Sequence, residues 1–135
     1  MREKLRLSLS EIANLDVTQN EREAIIELMM MIMYSDKTLK LTEDEAIKEY
    51  TNNIKWESPL SLEFYFGKVT PKIRRALEDK EDMNSFLEDI NFRIDSELVK
   101  AQVLLVCNDL AMADSEFSSE EKELVDNIAK VFQVS

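Results

Sequence analysis

The sequence predicts an all-α, single-domain bundle of about seven to eight helices over residues 1–135. Three observations predict it. One glycine and two prolines in 135 residues are too few for the turns of a sheet or for long loops. Helix formers of the Leu, Met, Glu, Lys and Ala type dominate. An acidic helix-loop-helix occurs twice, 78 residues apart, from Ile25 to Ile54 and from Val103 to Phe132. At that offset Asp36 aligns with Asp114, Leu39 with Phe117, Glu43 with Glu121, Ile47 with Val125, Tyr50 with Ile128 and Ile54 with Phe132. The alignment predicts two halves related by an internal pseudo-twofold axis. A chain of this length buries about two thirds of its extended surface, so it needs neither disulfide nor metal to fold.

The helices follow in order. A short first helix is expected over Leu7–Asn14. The second runs from Gln19 to Ser35, started by the capping box Thr18-x-x-Glu21, in which hydroxyl and carboxylate each satisfy a backbone N–H. A third covers Glu43–Lys55 behind a similar box, Thr42-x-x-Glu45. Ser58-Pro59 and Thr70-Pro71 each place a hydroxyl before a proline, the arrangement of a cap and a first helical residue. They predict a short aromatic helix over Pro59–Gly67, ended by the only glycine, and another over Pro71–Asp79. Two more, Asp82–Arg93 and Ser96–Ala113, are separated near Asp95, a plausible cap. The last covers Ser119–Gln133 behind the box Ser118-x-x-Glu121.

Two of these helices are apolar nearly all round. Ile25, Leu28, Met29 and Ile32 line one face of the second, and Ile26, Met30 and Met33 widen the stripe. Leu98, Ala101, Leu104, Leu105, Leu110 and Met112 do the same in the Ser96–Ala113 helix. Helices without a polar face are buried, so these two are expected to pack together at the centre. Val103–Cys107 has the composition of a buried strand, but its apolar neighbours extend without Gly or Pro, which favours helix. The methionines at 29, 30, 31 and 33 are read as core rather than as a binding groove. Cys107, the only cysteine, is read as a core residue with no cation nearby to make it reactive. Trp56, Phe64, Tyr65 and Phe66 are read as a plug joining the two halves.

The net charge is −11, from 28 acidic and 17 basic residues. Such a field repels nucleic acid and anionic lipid and attracts cations and basic protein surfaces. No segment is apolar enough to span a bilayer, and Met1-Arg2-Glu3-Lys4 leads into no signal-peptide core. A cytoplasmic, soluble protein is expected, with an unidentified protein partner and an oligomeric state the sequence leaves open.

The candidate site is the pair of acidic turns. Asp114 follows a helix C-terminus, where the macrodipole disfavours an anion, and Glu121 stands in the next first turn, where it is favoured. The intervening turn can bring both carboxylates to one point, as hard cations such as Ca²⁺ or Mg²⁺ require. Asp36 and Glu43 repeat the arrangement, and Glu116 is a further candidate. The competing reading makes Asp114 a local turn former and leaves Glu121 occupied by its capping box. Neither turn is an EF-hand. Counting from Asp114, position twelve is Val125, and counting from Asp36 it is Ile47, where a bidentate Glu is needed. Zinc is disfavoured by the absence of His.

Ala113, Asp114, Phe117, Ser118 and Glu121 form a pattern that resembles the TerB-like (tellurite-resistance) all-α domains, also found at the N-terminus of DjlA co-chaperones. Ser35-Asp36, Leu39 and Glu43 match it more loosely. The resemblance implies a bundle of about seven helices with internal pseudo-twofold symmetry. It also implies a divalent-metal role for the acidic loops, and a place in stress or tellurite-resistance systems. The chain departs from the pattern after each aspartate, where the family's glycine is Ser115 and Lys37 here.

Catalysis has little support: there is no His to act as base near neutral pH and no Gly-rich phosphate loop. Two functions remain expected. One is an acidic module that binds a divalent cation through Asp36, Glu43, Asp114, Glu121 and Glu116. The other is a metal-free domain that binds a basic or hydrophobic partner surface.

Overall fold

A computed structural model of the chain describes residues 3–35, 41–52, 54, 56, 58–112 and 119–132. Among them are seven α-helices and no strand: α1 (Glu3–Ala13), α2 (Gln19–Tyr34), α3 (Leu41–Asn52), α4 (Leu62–Glu78), α5 (Lys80–Arg93), α6 (Glu97–Ala111) and α7 (Ser119–Phe132). No described helix is long and apolar enough to cross a membrane.

α2 forms the axis of the bundle. Every residue from Ala24 to Met33 is buried, including Met29, Met30, Met31 and Met33. A helix enclosed all round needs neighbours all round, and α2 has α3, α4, α5, α6 and α7. The two apolar helices α2 and α6 do pack together. Cys107 lies fully buried in α6, and burial alone pushes its thiol up to about 12.

The helix bounds keep a constant spacing. α6 begins 78 residues after α2 (Glu97 and Gln19), and α7 begins 78 after α3 (Ser119 and Leu41). Lys80 opens α5 77 residues after Glu3 opens α1. Their neighbours exchange in the same way. α1 packs on α6 and α3, while α5 packs on α2 and α7. α2 touches α7, and α6 touches α3. α4 has no counterpart in this scheme. It packs on α2 and α5.

Several expectations change. The helices expected over Pro59–Gly67 and Pro71–Asp79 are one, α4, so the count is seven and not eight. Ser61, not Ser58, accepts the capping bond, from Phe64 N at 3.2 Å. Gly67 does not end a helix but stands exposed within one, and Pro71 lies inside it. Tyr65, Val69, Ile73 and Ala76 explain the fusion. They are buried at helical spacing across both residues, and burying four such side chains outweighs the roughly 1 and 3 kcal/mol that an interior Gly and Pro cost. Thr42 falls inside α3 and not before it. Ser96, one residue after Asp95, caps α6 through Val99 N at 3.3 Å.

The largest correction concerns α6, which is not enclosed. Val99, Val103, Val106, Cys107, Leu110 and Ala111 are buried, but Leu98, Ala101, Leu105 and Met112 are exposed. An apolar periodicity shows which faces avoid polar residues. It does not show that a neighbour is present to cover each one.

Candidate functional site

The acidic turns lie largely outside the described residues. Asp36, Asp114 and Glu116 are not among them, and Glu43 falls within α3 with its side chain outside them. Ser118 is likewise outside. Glu121 is described: it stands in the first turn of α7 with its side chain fully buried. On the other side of that turn Asp109, in the last part of α6, is also buried. Among the described residues no three Asp, Glu, His or Cys side chains gather as a metal site.

The charged group that the structure does assemble is centred on Glu27. It sits within the apolar run of α2 and is 2% exposed. Arg93, near the end of α5, meets it with two parallel bonds, Nη2 to Oε1 at 2.7 Å and Nη1 to Oε2 at 3.0 Å. The planar guanidinium matches the carboxylate in this geometry. The Tyr65 hydroxyl of α4 donates to the same carboxylate and lies 3.1 Å from the Glu23 carbonyl. Arg93 Nε is 3.1 Å from Asp89 Oδ2, near enough for an ion pair but not aligned as a hydrogen bond. Burial opposes the charge on Arg93, but the bonds to Glu27 and its negative charge hold the guanidinium more firmly protonated than usual. Burial, followed by the Glu27 carboxylate, pushes the Tyr65 hydroxyl well above the ordinary tyrosine range. Every strong partner is therefore locked in one protonation state near neutral pH. The group joins α2, α4 and α5 and offers no acid or base for proton transfer.

Tyr65 also carries the aromatic plug. Trp56 tilts against its ring at 5.2 Å and donates Nε1–H to the Leu60 carbonyl at 2.7 Å. Phe66 is half-buried, whereas Phe64 is exposed and takes no part in the plug. Glu21 makes a second tie. Its Oε1 accepts from Thr18 N at 3.0 Å while Thr18 Oγ1 accepts from Glu21 N at 3.1 Å, completing the predicted capping box. Its Oε2 accepts from Asp95 N at 3.2 Å. One buried carboxylate thus starts α2 and fixes the corner between α5 and α6.

Sequence reasoning missed the Glu27 group, although a signal was present. A single Glu inside Ala24–Met33 must find a cation once that run is buried.

The largest concavity is a groove of about 870 Å³ between α5 and α7, closed at one end by the α4–α5 corner and by Ser35. Ala76, Leu77, Met83, Leu124 and Val131 give it apolar surface. Glu78, Asp79, Glu88, Glu120 and Glu123 supply five carboxylates against two lysines, Lys80 and Lys130. Asn91, which also lines it, has an Oδ1 without a hydrogen-bond partner among the described residues. α5 and α7 run beside each other here, so the groove is long enough for an extended or helical segment. It contains no Cys or Ser placed beside a base.

Comparison of the chain with protein-family models, curated proteins and solved structures found no match.

Proposed function

We propose that the protein is a non-enzymatic helical interaction module that receives a basic, amphipathic protein segment in the groove between α5 and α7. The observation that carries this reading is the groove's composition: five carboxylates around apolar side chains, in a chain of net charge −11. Lysines of a partner would meet the rim while its apolar face covers Met83, Leu124 and Val131. Charge would speed and orient the encounter, and apolar burial would hold the complex.

The test uses a synthetic helical peptide with leucines on one face and lysines on the other, beside a control of equal charge with its leucines scrambled. The amphipathic peptide should bind at least about tenfold tighter than the control. Glu88→Lys together with Glu123→Lys should remove most of that difference. Equal binding of both peptides, or no effect of the double charge reversal, would reject the groove as the site.

A second reading keeps the TerB-like resemblance and a divalent cation at the acidic turns. It is supported by the seven-helix architecture and by Asp109 and Glu121, two inward carboxylates on the helices that flank the second turn. Ca²⁺ or Mg²⁺ would then be held by Asp114 and Glu121, with Glu116 near, and by Asp36 and Glu43 in the first half. Saturable amide shifts around Glu121 on adding either ion, abolished by Asp114→Ala, are what this reading expects. Their absence at about millimolar metal removes it.

A further inference from the structure

The exposed stripe on α6 falls at intervals of seven residues: Leu98 is 66%, Leu105 41% and Met112 45% exposed. Ala101 is exposed between the first two. Seven residues are nearly two helical turns, so these side chains lie on one face. That face continues onto α1. Gln102, between Leu98 and Leu105, donates from Nε2 to Glu11 Oε2 at 3.2 Å and to the Ser8 carbonyl at 3.4 Å. Leu7 stands one turn before Glu11 on α1 and is 58% exposed.

The other half of the molecule shows what such a face is built to hold. At the 78-residue spacing, Ala101, Leu105 and Met112 of α6 correspond to Glu23, Glu27 and Tyr34 of α2. Those three α2 residues are covered by α4: Tyr65 bonds to Glu23 and Glu27, and the Arg74 guanidinium lies 5.7 Å from the Tyr34 ring centre. On the flanking helix, Leu7 and Glu11 of α1 correspond to Ser85 and Asp89 of α5, which line the cleft beside Lys72 and Arg75 of α4. The helix that closes the α2–α5 side therefore has no described counterpart on the α6–α1 side.

We propose that this α6–α1 face is a docking site for one amphipathic helix of another protein, seated as α4 is seated on α2 and α5. The occupant's chemistry follows from the differences between the two sides. The polar centre of the α2 side, Glu27, is replaced by Leu105, so the occupant presents an apolar stripe with no buried cation at its middle. The acid at the edge is kept, Asp89 becoming Glu11, so basic residues flank that stripe as Lys72 and Arg75 flank α4. A second copy of this chain is a poor occupant. It would bring Glu11 and Glu97 towards their own counterparts and join two chains of net charge −11. The site is separate from the α5–α7 groove and does not depend on it.

The test is fluorescence binding of a labelled 17-residue helix, the length of α4, to the full chain. The helix carries leucines at α4's four inward positions, with lysines and alanines elsewhere. One-to-one saturation is expected. Leu105→Glu, and separately Leu98→Ser, should each weaken binding at least about fivefold. Both positions are exposed, and an unchanged helical circular dichroism spectrum shows that each variant still folds. The Glu88→Lys, Glu123→Lys double variant should retain most of this affinity, and about 0.5 M salt should weaken it less than it weakens groove binding. Three results would overturn the proposal. One is no saturation up to about 1 mM peptide. Another is binding lost in the groove variant but kept in Leu105→Glu. The third is a dimer in sedimentation that Leu105→Glu converts to monomer, which gives the face to a second copy.

Discussion

Replacing Arg93 by Met removes the guanidinium and keeps most of the aliphatic stem. Glu27 would then remain 2% exposed, with Tyr65 as its one hydrogen-bonding side chain among those described above. Removing one member of a buried pair costs about 3–5 kcal/mol, because the remaining charge is left without compensation. The Arg93 side chain is 18% exposed, so water can enter the vacated space, and the lower end, about 3 kcal/mol, is expected. Against a total stability of about 5–15 kcal/mol that is a large loss. Urea unfolding at pH 7, with an unchanged slope, measures it. The double variant Glu27→Met, Arg93→Met removes both charges together, and Tyr65 can still bond to the Glu23 carbonyl. It should be more stable than Arg93→Met alone despite carrying one more substitution. A loss below about 1 kcal/mol for Arg93→Met, or a double variant as unstable as the sum of its singles, would refute the reasoning.

Further outcomes follow from the same structure. Glu21→Ala should destabilise by about 1–3 kcal/mol, since it removes the α2 cap and the bond to Asp95 N together, and thermal unfolding checks this. Gly67→Ala should stabilise by about 0.5–1 kcal/mol, because the residue is helical and an added Cβ meets nothing within 4 Å; a loss would show that Gly67 needs a left-handed backbone after all. Cys107 has its thiol raised by burial from 9.0 to about 12, so the unfolded chain releases that proton first. Stability from this group is intact below about pH 9 and falls as pH rises towards 12. Burial raises the hydroxyls of Tyr50 and Tyr65 in the same direction. Urea midpoints measured between pH 8 and pH 11 should therefore decline, and thiol alkylation at pH 8 should proceed only at the rate of opening.

The parts of the fold that were readable from sequence are those where local and tertiary signals agree. The Thr18-x-x-Glu21 box starts α2, and the apolar run behind it is buried along its whole length. Cys107 and the four methionines fill core space as their setting predicts. α4 was misread because Gly67 and Pro71 are strong local breakers, and only the buried face of Tyr65, Val69, Ile73 and Ala76 overrules them. α6 was misread for the opposite reason. Leu98, Leu105 and Met112 have core composition, and nothing local distinguishes a covered apolar residue from an uncovered one. The Glu27 group was legible in one half only: a buried Glu needs a cation, but Arg93 is 66 residues away, and no local pattern selects it from the 17 basic residues. The groove was illegible because its walls, α5 and α7, meet only through tertiary packing. Of the five carboxylates proposed as ligands, Glu121 alone has a described side chain, and it points into the protein rather than lying on the surface.

The most direct test of the interaction-module account is an amide NMR titration of the full chain with the lysine-and-leucine amphipathic peptide. The account predicts saturable shifts concentrated on Met83, Asn84, Glu88 and Asn91 of α5 and on Glu123 and Asn127 of α7. Shifts scattered over the acidic surface, or shifts that the scrambled peptide reproduces, would contradict it.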